Sequence, residues 1–334
     1  MDLTMIGVPK PRKDITEFRY RKLKDILIQR KWDGCCTFGV TNNGIYSRRT
    51  SSVTGRKIPY TNKFPHIVEE LNKIKLPRNS VIVGEMVWTK DGRDLPTSRE
   101  NFRILQRLTG SSDSTSKKLQ EKFGSPIWII FDLLILEEEP AYLLPYKTRF
   151  DILKHTIVEK NYIKLIKNIN LKVKDAFEMA KHYKWEGLVL KDPSAPTEII
   201  ENDINNAVIR PDGYWKMKPK READVIIKGI EFSRKDKNRV ASLLAFLLDS
   251  SGKYKYVGKV GTFEGFSWKY RYDLAKQKVK FNGSYFELER PFTIKVRFDS
   301  WSDKGKMLKP VFYSLSNKSE EECTIENEGG QLWL

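Results

Sequence analysis

Cysteine is scarce in this sequence. Three occur in 334 residues, Cys35, Cys36 and Cys323, and two of them are adjacent. So few thiols exclude a disulfide framework and a zinc site, and predict reduced, intracellular cysteines. Long apolar runs are missing as well. No stretch approaches the roughly 20 apolar residues that cross a bilayer as a helix. The opening MDLTMIGVPKPRKD holds no apolar core of signal-peptide length. No membrane partner and no signal peptide are therefore expected. Long stretches without apolar residues are few, which argues against global disorder, and no internal repeat is evident. Acidic residues are in short supply: 43 Asp and Glu stand against 61 Lys and Arg, a formal net charge of +18.

What is present fits a folded, basic protein. Hydrophobic residues make up 40% and aromatics 12%, enough to bury a core, and the length suits one large domain or two of ordinary size. A positive excess of this size suits a polyanionic partner. With the membrane set aside, that partner is expected to be DNA or RNA.

Short β-branched and aromatic runs dominate the first two-thirds: Cys36–Val40, Gly44–Ser47, Val81–Val87, Ile127–Leu136 and Gly187–Lys191. Several are continuously apolar, as strands buried on both faces are. Between them Phe64–Ile74, Lys147–Glu159 and Lys172–Tyr183 carry helical spacing. Irregular alternation of this kind predicts a mixed α/β or α+β domain. Beyond Pro219–Asp224 the pattern changes to short strands at close intervals, Val225–Phe232, Ser242–Leu248, Tyr254–Val260 and Phe292–Arg297, with one helical stretch at Gly265–Val279. That series predicts a small β-barrel such as an oligonucleotide-binding (OB) fold. The domains are accordingly drawn at residues 1–220 and 221–334. Gly110–Lys118 reads as a mobile polar loop and Ser316–Gly330 as a mobile, partly acidic one, before the chain closes on apolar Leu332-Trp333-Leu334.

The chemistry-bearing features start at Lys31. The segment QRKWDGCCTF sets Lys31, Asp33 and Gly34 in the spacing K-x-D-G, after a helical pattern and before an apolar run. A lysine between two elements can hold its amine in a cleft. An amine that attacks phosphorus must be neutral, and burial with nearby cations favours that form. Alone, the tetrapeptide reads first as a surface turn cornered by Asp-Gly. Further segments follow: Ser47-Arg48, Val83-Gly84-Glu85-Met86, Ile130-Phe131-Asp132, Glu186-Gly187-Leu188-Val189-Leu190-Lys191 and Trp215-Lys216-Met217-Lys218-Pro219. Lys216 and Lys218 alternate along an expected strand and share a face. A solvated basic face is the plain alternative, and the interleaved Trp215 and Met217 weigh against it.

In that order, over most of the chain, these segments resemble the motifs of the covalent nucleotidyltransferases: ATP-dependent DNA ligases, RNA ligases and mRNA-capping guanylyltransferases. The last two segments run on to Asp192-Pro193 and to Glu222-Ala223-Asp224. In that form they look most like DNA ligases, especially the small bacteriophage enzymes. The resemblance implies a nucleotidyltransferase (adenylation) domain of antiparallel sheets and helices followed by an OB barrel. It implies Lys31 as the residue that takes up AMP, with Lys216 and Lys218 completing the catalytic set. Lys191 would join the two strand lysines in neutralising the α-phosphate. Glu85 would meet the ribose or a cation, and Glu186 would help hold Mg2+ (or Mn2+), which suits oxygen ligands from carboxylates and phosphate. Structural ion pairing with lysines is the alternative for both. Asp33 and Phe131 join the nucleotide-binding set, Phe131 by stacking on adenine, although an aromatic in IIFDLLIL is ordinarily core. Gln29 stands where DNA ligases commonly carry Glu facing the adenine amino group, and an amide oxygen can accept the same hydrogen bond. Arg48 is placed on the 5′-phosphate of a nick or on the adenylate. Arg49, Arg56, Lys235, Lys237, Arg239, Lys259 and Lys309 are candidates for DNA-backbone contact, each equally apt to be solvated surface.

Two departures from the family pattern matter. The usual arginine two residues after the first-motif glycine is Cys36, so one phosphate contact is missing or comes from elsewhere, with Arg49 the candidate. The last family motif normally carries an arginine and an Asp-Lys pair. Its counterpart Lys306-Met307-Leu308-Lys309-Pro310-Val311-Phe312 lacks that arginine, and Asp303-Lys304 lies just upstream. The function implied is an ATP-dependent DNA ligase, a monomer acting with Mg2+ on nicked duplex DNA in replication, repair or recombination. It would work in the cytoplasm of a prokaryote or an infected host cell. The alternatives are an RNA ligase with the same intermediate, a guanylyltransferase using GTP, and a non-catalytic nucleic-acid-binding protein.

Overall fold

Two units of the chain, Met1–Pro219 and Lys220–Leu334, fold around separate cores. They are seen in a computed structural model that describes residues 11, 25–90, 99–197, 199, 212–236, 238–263, 273–274, 276–277, 279–302 and 304–329.

The first unit contains β1 (Leu27–Lys31), β2 (Cys35–Val40), β3 (Gly44–Thr50), β4 (Lys57–Pro59), α1 (Pro65–Leu71), β5 (Val81–Val87), α2 (Arg99–Gly110), α3 (Asp113–Phe123), β6 (Ile127–Ile135), α4 (Tyr146–Thr156), β7 (Ile163–Leu165), α5 (Val173–His182), β8 (Gly187–Lys191) and β9 (Tyr214–Met217). One sheet has the order β4-β3-β2-β5-β6-β7 and a smaller one the order β1-β8-β9. The neighbours are antiparallel except β6 and β7. The apolar runs VIVGEMV and IWIIFDLLI form the centre of the large sheet, covered on both faces. On one face Ile82, Met86, Trp128 and Ile130 pack with Ile67 and Leu71 of α1 and Leu105 and Leu108 of α2. On the other, Val87, Ile127 and Ile129 meet Tyr146 and Phe150 of α4, Tyr214 of β9 and Leu27 of β1. Burying each such side chain fully contributes about 1.5–3 kcal/mol.

The small sheet alternates with period two. Ile28, Leu188, Leu190 and Met217 pack on Ala176 and Ala180 of α5. Gln29, Lys31, Val189, Lys191 and Lys216 therefore point the other way, into the space between the two sheets. Two glycines close the approach. A Cβ on Gly34 would lie 2.1 Å from the Met86 carbonyl oxygen, and one on Gly187 (φ +145°) would lie 2.0 Å from that of Met217.

Some expectations need correction. Lys31 ends a strand, β1, and does not follow a helix among the described residues. The polar stretch Gly110–Lys118 is not a loop but the junction of α2 and α3: the Ser112 hydroxyl caps α3 by accepting from the Thr115 amide at 3.3 Å.

The second unit contains β10 (Arg221–Phe232), β11 (Val240–Leu248), β12 (Tyr254–Val260), β13 (Thr262–Phe263), β14 (Val279–Phe281), β15 (Phe286–Phe298), β16 (Ser300–Trp301), β17 (Met307–Leu308), β18 (Val311–Leu315) and a π-helical turn at Ile325–Gly329. Its main sheet runs β12-β11-β10-β15-β18-β13. The two edge strands are consecutive in sequence, separated by Gly261 alone, so the sheet must curl to bring its ends together. Val225, Ile227, Leu243, Val257, Ile294 and Val296 lie in the core inside the curl. Ser316–Gly330, read as mobile, is tied down along much of its length. The Leu248 amide donates to the Cys323 carbonyl at 3.0 Å, and the Asp224 amide to the Glu328 carboxylate at 2.9 Å. Most of the expected helix Gly265–Val279, together with Lys237, Asp303 and Leu332-Trp333-Leu334, lies outside the described residues.

Candidate active site

Lys31, at the end of β1, is paired in register with Gly187 at the start of β8. The preceding residue, Glu186, is thereby brought against it. Lys31 Nζ donates to Glu186 Oε2 at 2.5 Å, and Lys218 Nζ, just past β9, lies 2.5 Å from Glu186 Oε1. One carboxylate thus bridges two ammonium groups, with the Lys31 side chain 23% exposed. Lys216 lies on the same face, level with Val189 and Gln29.

Asp33 and Glu85 complete an acidic surround. Burial pushes Glu85 up to about 7; Lys31 and Arg48 oppose that shift, while Glu186 and Asp33 add to it. Asp33 is raised to about 6, by burial first and Glu186 second, against Lys31 and Lys218. Three carboxylates and three cations therefore feel one another across the space between the sheets. Gly34, pressed against Met86, is what lets the K-x-D-G turn approach the end of β5.

Lys191 does not join Lys216 and Lys218. It lies at the far end of β8, paired with Leu27 and Tyr214, and is buried. Its amine donates to the Phe131 carbonyl at 3.2 Å, sits 3.8 Å from the centre of the Tyr146 ring and is 3.9 Å from Asp132 Oδ2. Burial brings it down to about 7, with Asp132 opposing. Asp132 is held by Arg149, whose Nε donates to Oδ1 at 2.8 Å. Phe131 is half-buried, beside Val83, Leu134 and Ile129. Gln29 is almost wholly buried and donates to the Tyr146 hydroxyl at 2.8 Å and to Asn168 Oδ1 at 2.9 Å. Tyr146, Arg149 and Asn168 were missed in the sequence. Arg149 and Tyr146 sit among apolar residues of a helix, and a buried cation there was the available signal.

Cys36 pairs with Glu85, and one step beyond the Thr37–Ser47 pair places Arg48 beside Cys36 in the same row. Arg48 thus shares the face of Glu85. Arg49, the candidate to replace the missing arginine, is turned to the opposite face, toward Cys35 and Tyr60. Arg56 is exposed in the β3–β4 turn. In the second unit Lys235 is exposed and Arg239 half-buried in the β10–β11 turn, where Arg239 donates to Ser233 Oγ at 3.4 Å. Lys259 pairs with Glu231, and Lys309 lies 3.2 Å from Asp299.

Among the described residues no three His, Cys, Asp or Glu side chains form a closed metal cage. The donors that are present, carboxylates whose proton affinity is raised by burial first and by one another second, fit a hard divalent cation completed by phosphate.

A family model described as the ATP dependent DNA ligase domain matches residues 10–205. A DNA ligase of Methanosphaera stadtmanae is 25% identical over 257 residues, covering 74% of this chain and 42% of that protein. DNA ligase C of Mycobacterium tuberculosis is 26% identical over 211 residues, covering 61% of this chain and 54% of that protein. The chain spans about two-fifths to half the length of these relatives. Among solved structures, a Lig E DNA ligase shares the fold, with a TM-score of 0.57 at 15% identity over 93% of this chain and 99% of that one. The family match covers more than half of the sequence and every strand of the two-sheet unit except β9, and the chain belongs to the ATP-dependent DNA ligase domain family.

Proposed function

We propose that this chain seals nicks in duplex DNA with ATP, through an AMP–lysine intermediate on Lys31. The observation that carries the reading is the Glu186 carboxylate bridging Lys31 and Lys218 at 2.5 Å each. It fixes the amine and gives its proton an acceptor. Relieved of that proton, Lys31 Nζ attacks the α-phosphorus of ATP; the P–N bond forms, the α–β bridge breaks and pyrophosphate leaves. Lys216 and Lys218 stand where negative charge develops on the phosphate. AMP then passes to the 5′-phosphate at a nick, breaking the P–N bond. The 3′-hydroxyl attacks that phosphate and AMP departs. Arg48, in the row of Cys36 and Glu85, is the group we assign to the nick phosphate or adenylate. Mg2+, held by Glu85 and Glu186 with substrate phosphate, would supply further positive charge there.

We read the second unit as an OB fold, supported by the single-residue link between its edge strands. Lys235, Arg239, Lys259 and Lys309 are its candidates for phosphate contact. No helix among the described residues is long and apolar enough to cross a membrane. Our reading is a monomer in the cytoplasm of a prokaryote or an infected host cell, serving replication, repair or recombination; the relatives described above are prokaryotic DNA ligases.

Incubation with α-labelled ATP and Mg2+ should label the wild type through a bond stable to base and lost in hot acid. Lys31→Ala should melt normally and take no label. An unlabelled wild type refutes the reading. Parallel assays on nicked DNA and nicked RNA duplexes separate it from an RNA ligase.

A further inference from the structure

A carboxylate only accepts hydrogen bonds, whereas an amide accepts at one atom and donates at the other, so a glutamine can offer a ligand either edge. Gln29 lies on β1 two residues before Lys31, on the same face, and is 1% exposed. Its Nε2 donates both to the Tyr146 hydroxyl at 2.8 Å and to Asn168 Oδ1 at 2.9 Å. The Tyr146 hydroxyl has one proton, and it is donated to the Phe131 carbonyl at 3.0 Å. Burial holds Tyr146 far above its usual pKa, so that proton stays. Toward Gln29 the hydroxyl can then only accept. The hydrogen bonds run one way, from the amide to Asn168 and, through the Tyr146 hydroxyl, to the Phe131 carbonyl: both amide N–H groups are spent. Gln29 Oε1 accepts no hydrogen bond from the described residues and is not one of the enclosed orphan atoms, which leaves it as the amide edge available to a ligand's donor.

We infer that Tyr146 and Asn168 are specificity-determining residues, which lock Gln29 with its oxygen toward the nucleotide and so select a purine with a 6-amino group over one with a 6-oxo group. The inference deepens the reading of Lys31 as the nucleotide acceptor and rests on it. Two residues along a strand span about 6.6–7 Å, a distance of the order that separates an α-phosphate on Lys31 from the base it carries. Phe131, whose carbonyl anchors the hydrogen bonds, borders the same space. A 6-amino group would donate to Oε1. A 6-oxo group would set oxygen against oxygen, leaving two acceptors unpaired. Tyr146 and Asn168 touch Gln29 and not the base, so they act as positioning residues.

The test is self-labelling of the full chain with ATP and with ITP, which differ at position 6 and in the N1 proton that follows from it. The wild type should favour ATP in kcat/KM by about tenfold to a hundredfold, the range expected for one mispaired buried acceptor. Tyr146→Phe lets the amide invert and should lower that ratio at least fivefold. Adding Gln29→Glu, which has no donor edge, should restore it, which a merely structural role for Tyr146 would not do. Asn168→Leu is the second variant, should Tyr146→Phe fail to fold, and it too should lower the ratio. An unchanged ratio in the folded variants, or equal losses with both nucleotides, overturns the inference while leaving the ligase reading intact. A wild type labelled by neither nucleotide overturns the ligase reading itself.

Discussion

Arg149 is wholly buried, and what it holds is a carboxylate. Its Nε and NH2 donate to Asp132 at 2.8 and 3.3 Å, and its remaining N–H groups reach the carbonyls of Tyr142 and Leu144 and the Tyr214 hydroxyl. Asp132 is 3% exposed. Arg149→Met preserves much of the volume but strands that carboxylate, with the Lys191 amine 3.9 Å away. Breaking one side of a buried pair costs about 3–5 kcal/mol, and the nearby lysine places the loss at the lower end, about 3 kcal/mol. At about 2–4 °C per kcal/mol for a unit of this size, Tm of the first unit should fall by about 6–12 °C. Melting followed by circular dichroism, with a urea titration as check, reads this directly. Asp132→Leu with Arg149→Met should recover part of the loss, because two apolar groups carry no uncompensated charge. A drop below about 2 °C for the single variant, or a double variant less stable than the single, would refute the reasoning.

Glu85 and Asp33 bind protons more tightly folded than unfolded. The stability they confer is complete below about pH 4 and is lost as pH rises through 6 to 7. The urea midpoint should therefore decline between about pH 5 and about pH 8, and less so in Glu85→Gln; parallel curves would count against the buried carboxylate. Gly34→Ala sets a methyl 2.1 Å from the Met86 carbonyl oxygen. It should cost about 1–3 kcal/mol in denaturant titration and slow Lys31 labelling at least tenfold; wild-type labelling would show that the turn tolerates the shift. Affinity for nicked duplex, measured by anisotropy, should weaken about a hundredfold between about 50 and about 200 mM salt if four phosphates are neutralised. A flat salt profile would exclude backbone-dominated binding.

Much of the first unit was legible because its signals are local. The runs that became β5 and β6 are apolar on both faces, and Lys31 and Lys216 fall on the strand positions their alternation requires, with Lys218 just past the end of β9. What the sequence hid was set by pairing at long range. Lys191 has the same parity as those lysines, yet burial against Tyr146 and Asp132 takes its amine elsewhere. Glu186 could be placed near a lysine but not between two. Arg49 and Arg48 are adjacent, and only the register of β2 with β3 and β5 tells which shares the side of Glu85. In Gly110–Lys118 the serines outweighed the capping signal they contain, since Ser112 before an acidic Asp113 is a helix start. Ser316–Gly330 looked loose because its anchors, Cys323 and Glu328, meet partners some 75 and 104 positions away.

The one-residue joint at Gly261 has a consequence for solubility. An open sheet presents two outer strands whose free amides and carbonyls invite a neighbouring chain to add on. Here those strands meet at a corner, and β13 is only two residues long. A second molecule finds only two residues to extend on the β13 side, while β12 offers seven. The chain is thereby guarded against strand-by-strand stacking from the β13 side.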